Sequence, residues 1–339
     1  MRIGWGVIGA GSVARRRTMP SMKAIDRAEL IAVMVRDKER ARAIASEYGA
    51  KRSYTDVFDL LSDREIDAVY ISTPVAFHKD HAVAALRAGK HVLLEKPMAR
   101  TVHECDEIIE EARKSGKHLQ ICFLMRFHPA YREIKGMMES GEFGEIVMAR
   151  AQMLKWYDIE PGSWRLDPEI SGGGVLIDVG SHLLDLMVFL LGDVSEISAI
   201  KDSRIRGWRI EETATVVGRT SDGVQIVIST SYNTPYSETI LEIYGTKGSV
   251  YIYALPDRKG WLMKWRTDAG SFERIWPPIE LFELQLDHFA KCIEGVEDPL
   301  VTGEDGRKNI ELILAAYRSA ERGSVEKVEI IEPGPYPSS

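Results

Sequence analysis

The sequence predicts an α/β protein: a doubly wound parallel sheet, followed by an α+β domain built on an open, mostly antiparallel sheet. Three observations predict it. Short runs rich in Val, Ile and Leu alternate with stretches of helical periodicity through the first third of the chain, the pattern of βαβ units and of a sheet buried on both faces. A glycine-rich turn, Gly9-Ala10-Gly11-Ser12-Val13-Ala14, stands at the first strand–helix junction. From about residue 145 the rhythm changes to successive strand-like runs with turn signals and no long helices between them.

Residues 3–8, 30–35, 68–71, 91–94 and 119–122 read as strands of the first part, and 38–47, 80–88 and 102–115 as its helices. Right-handed crossovers between such strands place the ligand crevice at their carboxyl ends. In the second part an apolar helix, 175–191, precedes strands at 194–202, 213–219, 224–232, 238–244, 249–253 and 262–266. Ser221-Asp222-Gly223 and Gly245-Thr246-Lys247-Gly248 turn the chain between strands, and helices at 279–294 and 304–322 close it. The expected division is residues 1–123 and 124–332, the last helices packing back on the first domain. Residues 333–339, with three prolines, form a loose tail.

A chain of 339 residues is long enough for two domains. Its 45% hydrophobic and 28% charged residues rule out wholesale disorder. With 44 basic against 51 acidic residues the net charge is −7, which gives no electrostatic case for nucleic acid or an anionic membrane. Cys105, Cys122 and Cys292 have no metal-ligand spacing, and no His/Cys/Asp/Glu cluster supports a metal. Met1-Arg2 leads straight into the first strand without a secretory pattern, and the longest apolar run, 186–191, is too short to cross a bilayer. The expectation is a soluble cytoplasmic protein.

Small residues at 9–14 make a tight turn and let backbone N–H groups at a helix N-terminus approach a pyrophosphate, with Ala14 in place of a third glycine. The position that carries a ribose-binding carboxylate in NAD enzymes is Val35, followed by Arg36. A guanidinium there suits a 2′-phosphate and adenine stacking, which favours NADP over NAD, although a one-residue slip would make Asp37 the ribose acid. Thr73-Pro74 lies beyond the strand 68–71, with His78 next, either as a cofactor contact or as a packing residue. Glu95-Lys96-Pro97 ends the strand 91–94, where proline fixes the turn and aims Lys96 into the crevice. Gly172-Gly173-Gly174 opens the apolar helix, which Asp178 and His182 interrupt at i, i+4. Asp185, three residues on, is placed to orient an imidazole or to bind elsewhere. Polar groups in an apolar helix need partners, which are a substrate or each other.

Together these pieces resemble the Gfo/Idh/MocA family of nicotinamide-dependent oxidoreductases. The likeness rests on the order of Gly9-Ala10-Gly11, Ser72-Thr73-Pro74, His78, Ala88-Gly89-Lys90-His91-Val92-Leu93-Leu94-Glu95-Lys96-Pro97, Arg126-Phe127-His128-Pro129, Gly141-Glu142-Phe143-Gly144, Trp164-Arg165 and the stretch 172–185. It implies a Rossmann domain followed by a domain through whose open sheet members form dimers or tetramers. It implies Lys96, Asp178 and His182 as the catalytic set. Gly9, Ala10, Gly11, Ser12, Val13, Arg36, Thr73, Pro74, His78, Glu95, Lys96 and Arg165 become the cofactor contacts, and Trp156, Tyr157, Trp164 and Asp178 the substrate wall. The expected reaction moves a hydride between the nicotinamide and a secondary alcohol or ketone of a sugar or cyclitol. An imidazole, which titrates near neutrality, would act as base, and Lys96 would stabilise the oxyanion. The rival expectations are an oxidoreductase on a dihydrodiol or tetrapyrrole, an NAD-dependent glycosidase, and a dinucleotide sensor without turnover.

Overall fold

The computed structural model describes residues 2–256 and 259–329, so the expected tail at 333–339 lies outside the described residues. Six strands form a parallel sheet: β1 (Ile3–Ile8), β2 (Ala28–Met34), β3 (Arg52–Tyr54), β4 (Ala68–Ile71), β5 (His91–Leu94) and β6 (Leu119–Ile121). Their order is β3-β2-β1-β4-β5-β6, every pairing parallel. The strand order therefore reverses between β1 and β4, the switch point at which such sheets bind ligands. The helices that cross over are α1 (Met19–Ala24), α2 (Lys38–Tyr48), α3 (Val57–Leu61), α4 (His78–Arg87) and α5 (Val102–Ser115). Sequence dictates their ends. Asp37, Asp56 and Thr101 cap the starts of α2, α3 and α5 with side-chain oxygens, and glycines in the left-handed region end α2 and α5.

The second sheet has nine strands in the order β14-β13-β12-β11-β7-β10-β9-β8-β15. They are β7 (Ile146–Leu154), β8 (Val194–Asp202), β9 (Thr213–Thr220), β10 (Gln225–Ser231), β11 (Ile240–Gly245), β12 (Gly248–Ala254), β13 (Trp261–Thr267), β14 (Gly270–Trp276) and β15 (Glu326–Lys327). All pairs are antiparallel except β7 with β10. Alternation sets its faces: Ala214 and Val216, Ile226 and Ile228, and Val250 and Ile252 are buried, while Thr215, Val217 and Tyr251 point the other way. Helices α6 (Pro129–Glu139), α7 (Pro168–Ser171) and α8 (Ser181–Leu191) complete this part, and α9 (Leu281–Ile293) and α10 (Gly303–Arg322) follow.

The chain divides into two units. Met1–Leu124 and Glu280–Arg307 make the first, Met125–Ile279 and the stretch from Lys308 the second. In the first, Trp5 of β1 packs against Phe289 of α9 at 5.7 Å between ring centroids, so α9 belongs to the core under the parallel sheet. In the second, the mostly helical stretch Pro168–Leu191, interrupted by the glycines at 172–174, is long and apolar enough to cross a membrane by length and composition. Its window is 78% buried within the fold, which is the environment of a core helix.

Candidate active site

In the first unit the strand ends at the switch point carry the expected cofactor turn. Gly9 has φ +83°, and a Cβ there would lie 2.7 Å from Thr73 Cγ2, so this position takes only glycine. Its N–H donates to the Met34 carbonyl at 3.0 Å, and the Ser72 hydroxyl donates to its carbonyl, tying the turn to β2 and to the end of β4. Ala10 is buried, Gly11 meets nothing nearer than the Ser72 carbonyl oxygen at 3.8 Å, and Ser12 and Val13 are exposed. The first N–H groups of a helix have no intrahelical partner, so an open first turn of this kind fits a dinucleotide pyrophosphate. Past β2, Val35 is half-buried and Arg36 exposed, while Asp37 Oδ1 accepts the Arg40 N–H at 2.7 Å as the cap of α2.

Beyond β4, Thr73 Oγ1 pairs with His81 Nδ1 at 3.1 Å. His78 is 1% exposed, its Nδ1 2.9 Å from the Pro97 carbonyl oxygen and its Nε2 2.9 Å from that of Thr73. This geometry modifies the expectation of a cofactor contact: the ring ties together the two loops that carry Thr73-Pro74 and Lys96-Pro97. Two carbonyl acceptors favour an imidazolium, but burial outweighs them and pushes the ring down to about 4. Beyond β5, Glu95 accepts the Tyr70 hydroxyl at 2.5 Å and the Lys96 N–H at 3.2 Å, so its carboxylate braces Lys96 from behind. The Lys96–Pro97 peptide is cis.

In the second unit the glycines admit close neighbours from the chain itself. A Cβ on Gly173 would meet the Tyr317 hydroxyl at 2.1 Å, and one on Gly174 the Glu211 carbonyl oxygen at 2.0 Å. The Glu211 carboxylate accepts the N–H groups of Gly174 and Leu176, each at 2.9 Å, and the Tyr317 hydroxyl at 2.8 Å. It thus sits at the positive end of the helix that follows. Leu176–Gly180 is wound as a π-helix before α8, so the expected regular i, i+4 spacing of Asp178 and His182 spans a wide turn. From 174 to 187, Asp178 and His182 are nevertheless the two residues not buried, which puts both on the accessible side.

The Tyr232 hydroxyl donates to Asp178 Oδ2 at 2.7 Å. Tyr232 is 2% exposed, its ring stacked on Tyr157 at 5.3 Å and edge-on to Trp208 at 6.5 Å. Burial and the Asp178 charge push its phenol well above 10, so it is a neutral donor at ordinary pH. Trp156, bridged to Asn233 and 53% exposed, lies 4.2 Å from the Arg206 guanidinium, which also lies 4.5 Å from the Trp208 ring. Of the expected substrate wall, Tyr157 therefore joins Asp178 through Tyr232, and Trp156 joins through Arg206 and Trp208. Trp164 stands apart on a short 3-10 turn, with the Arg165 guanidinium over its own ring at 4.5 Å. Asp185 is buried and paired with Arg126, Oδ1 to Nη2 at 2.7 Å. Tyr232, Trp208, Arg206 and Glu211 were not legible as site residues. They come from the strands and loops of the second sheet, and no spacing links them to Asp178.

The family model described as "Oxidoreductase family, NAD-binding Rossmann fold" matches residues 3–123, and the "GFO/IDH/MocA C-terminal domain" matches residues 131–251. The chain belongs to the Gfo/Idh/MocA family. It is 33% identical to a 1,5-anhydro-D-fructose reductase of Ensifer adhaerens, over 96% of this chain and 98% of that one. It is 27% identical to a scyllo-inositol 2-dehydrogenase (NAD(+)) of Bacillus subtilis, over 96% of each. Its fold matches an aldose-aldose oxidoreductase from Caulobacter crescentus with a TM-score of 0.89 and 27% identity, covering 97% of this chain and all of the other. As a Gfo/Idh/MocA protein this chain is an NAD(P)-dependent oxidoreductase, with the Gly9–Val13 turn in the domain that the family uses for the dinucleotide.

Proposed function

We propose that this oxidoreductase acts on a secondary alcohol or ketone of a sugar or cyclitol, with Lys96, Asp178 and His182 as its catalytic residues and NADP as its preferred cofactor. The observation that carries the reading is the pair Asp178 and His182, the two accessible side chains of an otherwise buried helical stretch, with Asp178 held by Tyr232. The names of the relatives, which include an anhydrofructose reductase and an inositol dehydrogenase, support the substrate class.

When bound, the nicotinamide supplies the hydride acceptor or donor. His182 takes the proton of the reacting hydroxyl, or returns it in reduction. Lys96 stabilises the negative charge that develops on the oxygen. Asp178 accepts a hydrogen bond from a hydroxyl of the substrate and orients it, since Tyr232 occupies its Oδ2 and fixes the carboxylate. The NADP preference rests on the exposed Arg36, with Asp37 engaged as a helix cap. Relatives are named for NAD(+) and for NADP(+), so the reading rests on this chain's own residues.

We also infer a cytoplasmic homodimer or homotetramer. The free cysteines 105, 122 and 292 suit a reducing compartment. The second sheet turns exposed apolar residues, Ile200 and Val217 among them, away from its buried face. The test of the function is reduction of NAD and NADP, followed by absorbance, with myo-inositol, D-glucose and D-xylose, and the reverse with 1,5-anhydro-D-fructose. Turnover with one pair is expected; silence across the panel, with cofactor binding intact, would overturn the reading.

A further inference from the structure

The loop at 203–212 carries Arg206 and Trp208, and a buried carboxylate fixes its shape. Glu212 accepts the Arg206 N–H at 3.0 and 2.9 Å, the Trp208 N–H at 3.2 Å and the Asn233 Nδ2 amide at 2.7 Å. Burial raises its affinity for a proton, but these donors outweigh it and hold the carboxyl below its usual range. A carboxylate only accepts, so Nδ2 is the Asn233 atom that faces it, and Oδ1 faces the other way.

Two buried polar atoms are then left over. Arg206 Nη2 and Asn233 Oδ1 have no hydrogen-bond partner among the described residues. The Arg206 side chain is 14% exposed, and its nearest acid is the exposed Asp158 at 3.8 Å from Nη1. Both residues hang on the same Glu212 oxygen, and Asn233 follows Tyr232, whose hydroxyl holds Asp178. A buried donor and a buried acceptor are each costly to leave unfilled. A single ligand that served both would accept from the guanidinium and donate to the amide oxygen. A hydroxyl, or two adjacent hydroxyls, does both. A carboxylate or phosphate fills the arginine but sets an acceptor against Asn233 Oδ1. The Trp156 and Trp208 rings flank Arg206 and keep its N–H edge in place.

We propose that Arg206 and Asn233 form a hydroxyl-recognition subsite of the second unit, which takes a vicinal diol of a neutral cyclic polyol and so selects the carbon presented to Asp178. The subsite rests on the sugar or cyclitol reading above and deepens it. Arg206→Lys keeps the cation between the indoles but loses the planar fork, and Asn233→Ala removes the acceptor.

The test titrates the full chain and both variants with myo-inositol, D-glucose and D-glucuronate. Intrinsic tryptophan fluorescence reports occupancy next to Trp156 and Trp208, and turnover is measured separately. Saturable binding of the neutral polyols is expected, weakened about 10- to 100-fold in Arg206→Lys and about 3- to 10-fold in Asn233→Ala, with melting temperatures held. Unchanged affinities, a lower melting temperature as the sole effect, preferred Arg206-dependent binding of D-glucuronate, or no response to either neutral polyol would each overturn the subsite. Turnover of polyols that neither variant alters would remove the subsite and keep the oxidoreductase reading. Variant-sensitive binding without reduction of either cofactor would do the reverse.

Discussion

Tyr232→Phe isolates a single hydrogen bond at the proposed reaction centre. The phenol donates to Asp178 at 2.7 Å, and the ring is held by Tyr157 and Trp208, so removing one oxygen leaves the packing in place. A hydrogen bond to a charged group contributes about 1.5–3 kcal/mol. Asp178 keeps part of its surface accessible, so water can replace the phenol, and the lower figure of about 1.5 kcal/mol applies. That is about a tenfold fall in kcat/KM. Losing a donor also favours the protonated carboxyl, so the acid limb of the kcat/KM profile moves to higher pH. A merely structural role would not produce that shift. The assay is nicotinamide absorbance against pH for wild type and variant, with melting curves as the control. A kcat/KM within twofold of wild type and an unmoved acid limb would refute the view that Tyr232 positions Asp178.

Lys96→Ala and His182→Ala are each expected to lose about 10²- to 10⁴-fold in kcat while binding cofactor and melting as wild type does; near-normal turnover in either would remove that residue from the mechanism. Arg36→Ala is expected to weaken NADP binding about 10- to 100-fold and NAD binding little, measured by calorimetry. Equal losses would count against the 2′-phosphate role. Glu211→Ala leaves the N–H groups of Gly174 and Leu176 and the Tyr317 hydroxyl without their acceptor, and a loss of about 2–4 kcal/mol in urea unfolding is expected; a midpoint equal to wild type would show that the brace carries no weight. His78 titrates at about 4 folded against 6.5 unfolded. Between those values the unfolded chain binds the extra proton, so stability rises with pH across that window. Falling from pH 7 to 4 removes about 3 kcal/mol, a slope that His78→Asn should flatten in urea unfolding at a series of pH values.

The first sheet was legible because buried parallel strands are continuous apolar runs. β3, β7, β14 and the two-residue β15 were not legible, the first three for separate physical reasons. β3 is three residues, Arg52–Tyr54, at the sheet edge, where half-exposure permits polar side chains. β7 is central, yet Ala149 and Ala151 are its buried residues, small side chains on the strand against which α8 packs. Alanine carries little strand preference. β14 is an edge strand with mostly exposed residues, and no buried face imposes a period on it. At the site, Lys96, Asp178 and His182 stood out as charged or polar groups beside apolar runs. Their supports did not. Tyr232, Glu211 and Tyr317 follow Asp178 by tens to more than a hundred residues, and only the folding of the second unit brings them to its helix.

Winding of the chain carries the same lesson. Among the described residues, π-helical turns occur at Ala14–Thr18 and at Leu176–Gly180. One follows the proposed cofactor turn and the other carries Asp178. A π-turn fits one extra residue into a helical turn and persists only where surrounding contacts compensate its weaker packing. At the second segment those contacts are visible: Glu211 and Tyr317 brace its start, and Gly180 lies where a Cβ would press on Leu176 at 2.8 Å. An α-helical count alone would place Asp178 and His182 one regular turn apart. The wide turn changes that offset, and burial of every other residue from 174 to 187 keeps the two side chains on the accessible face. The offset of the pair in space thus depends on how the helix is braced, and the bracing residues shape the geometry that the proposed catalytic residues present.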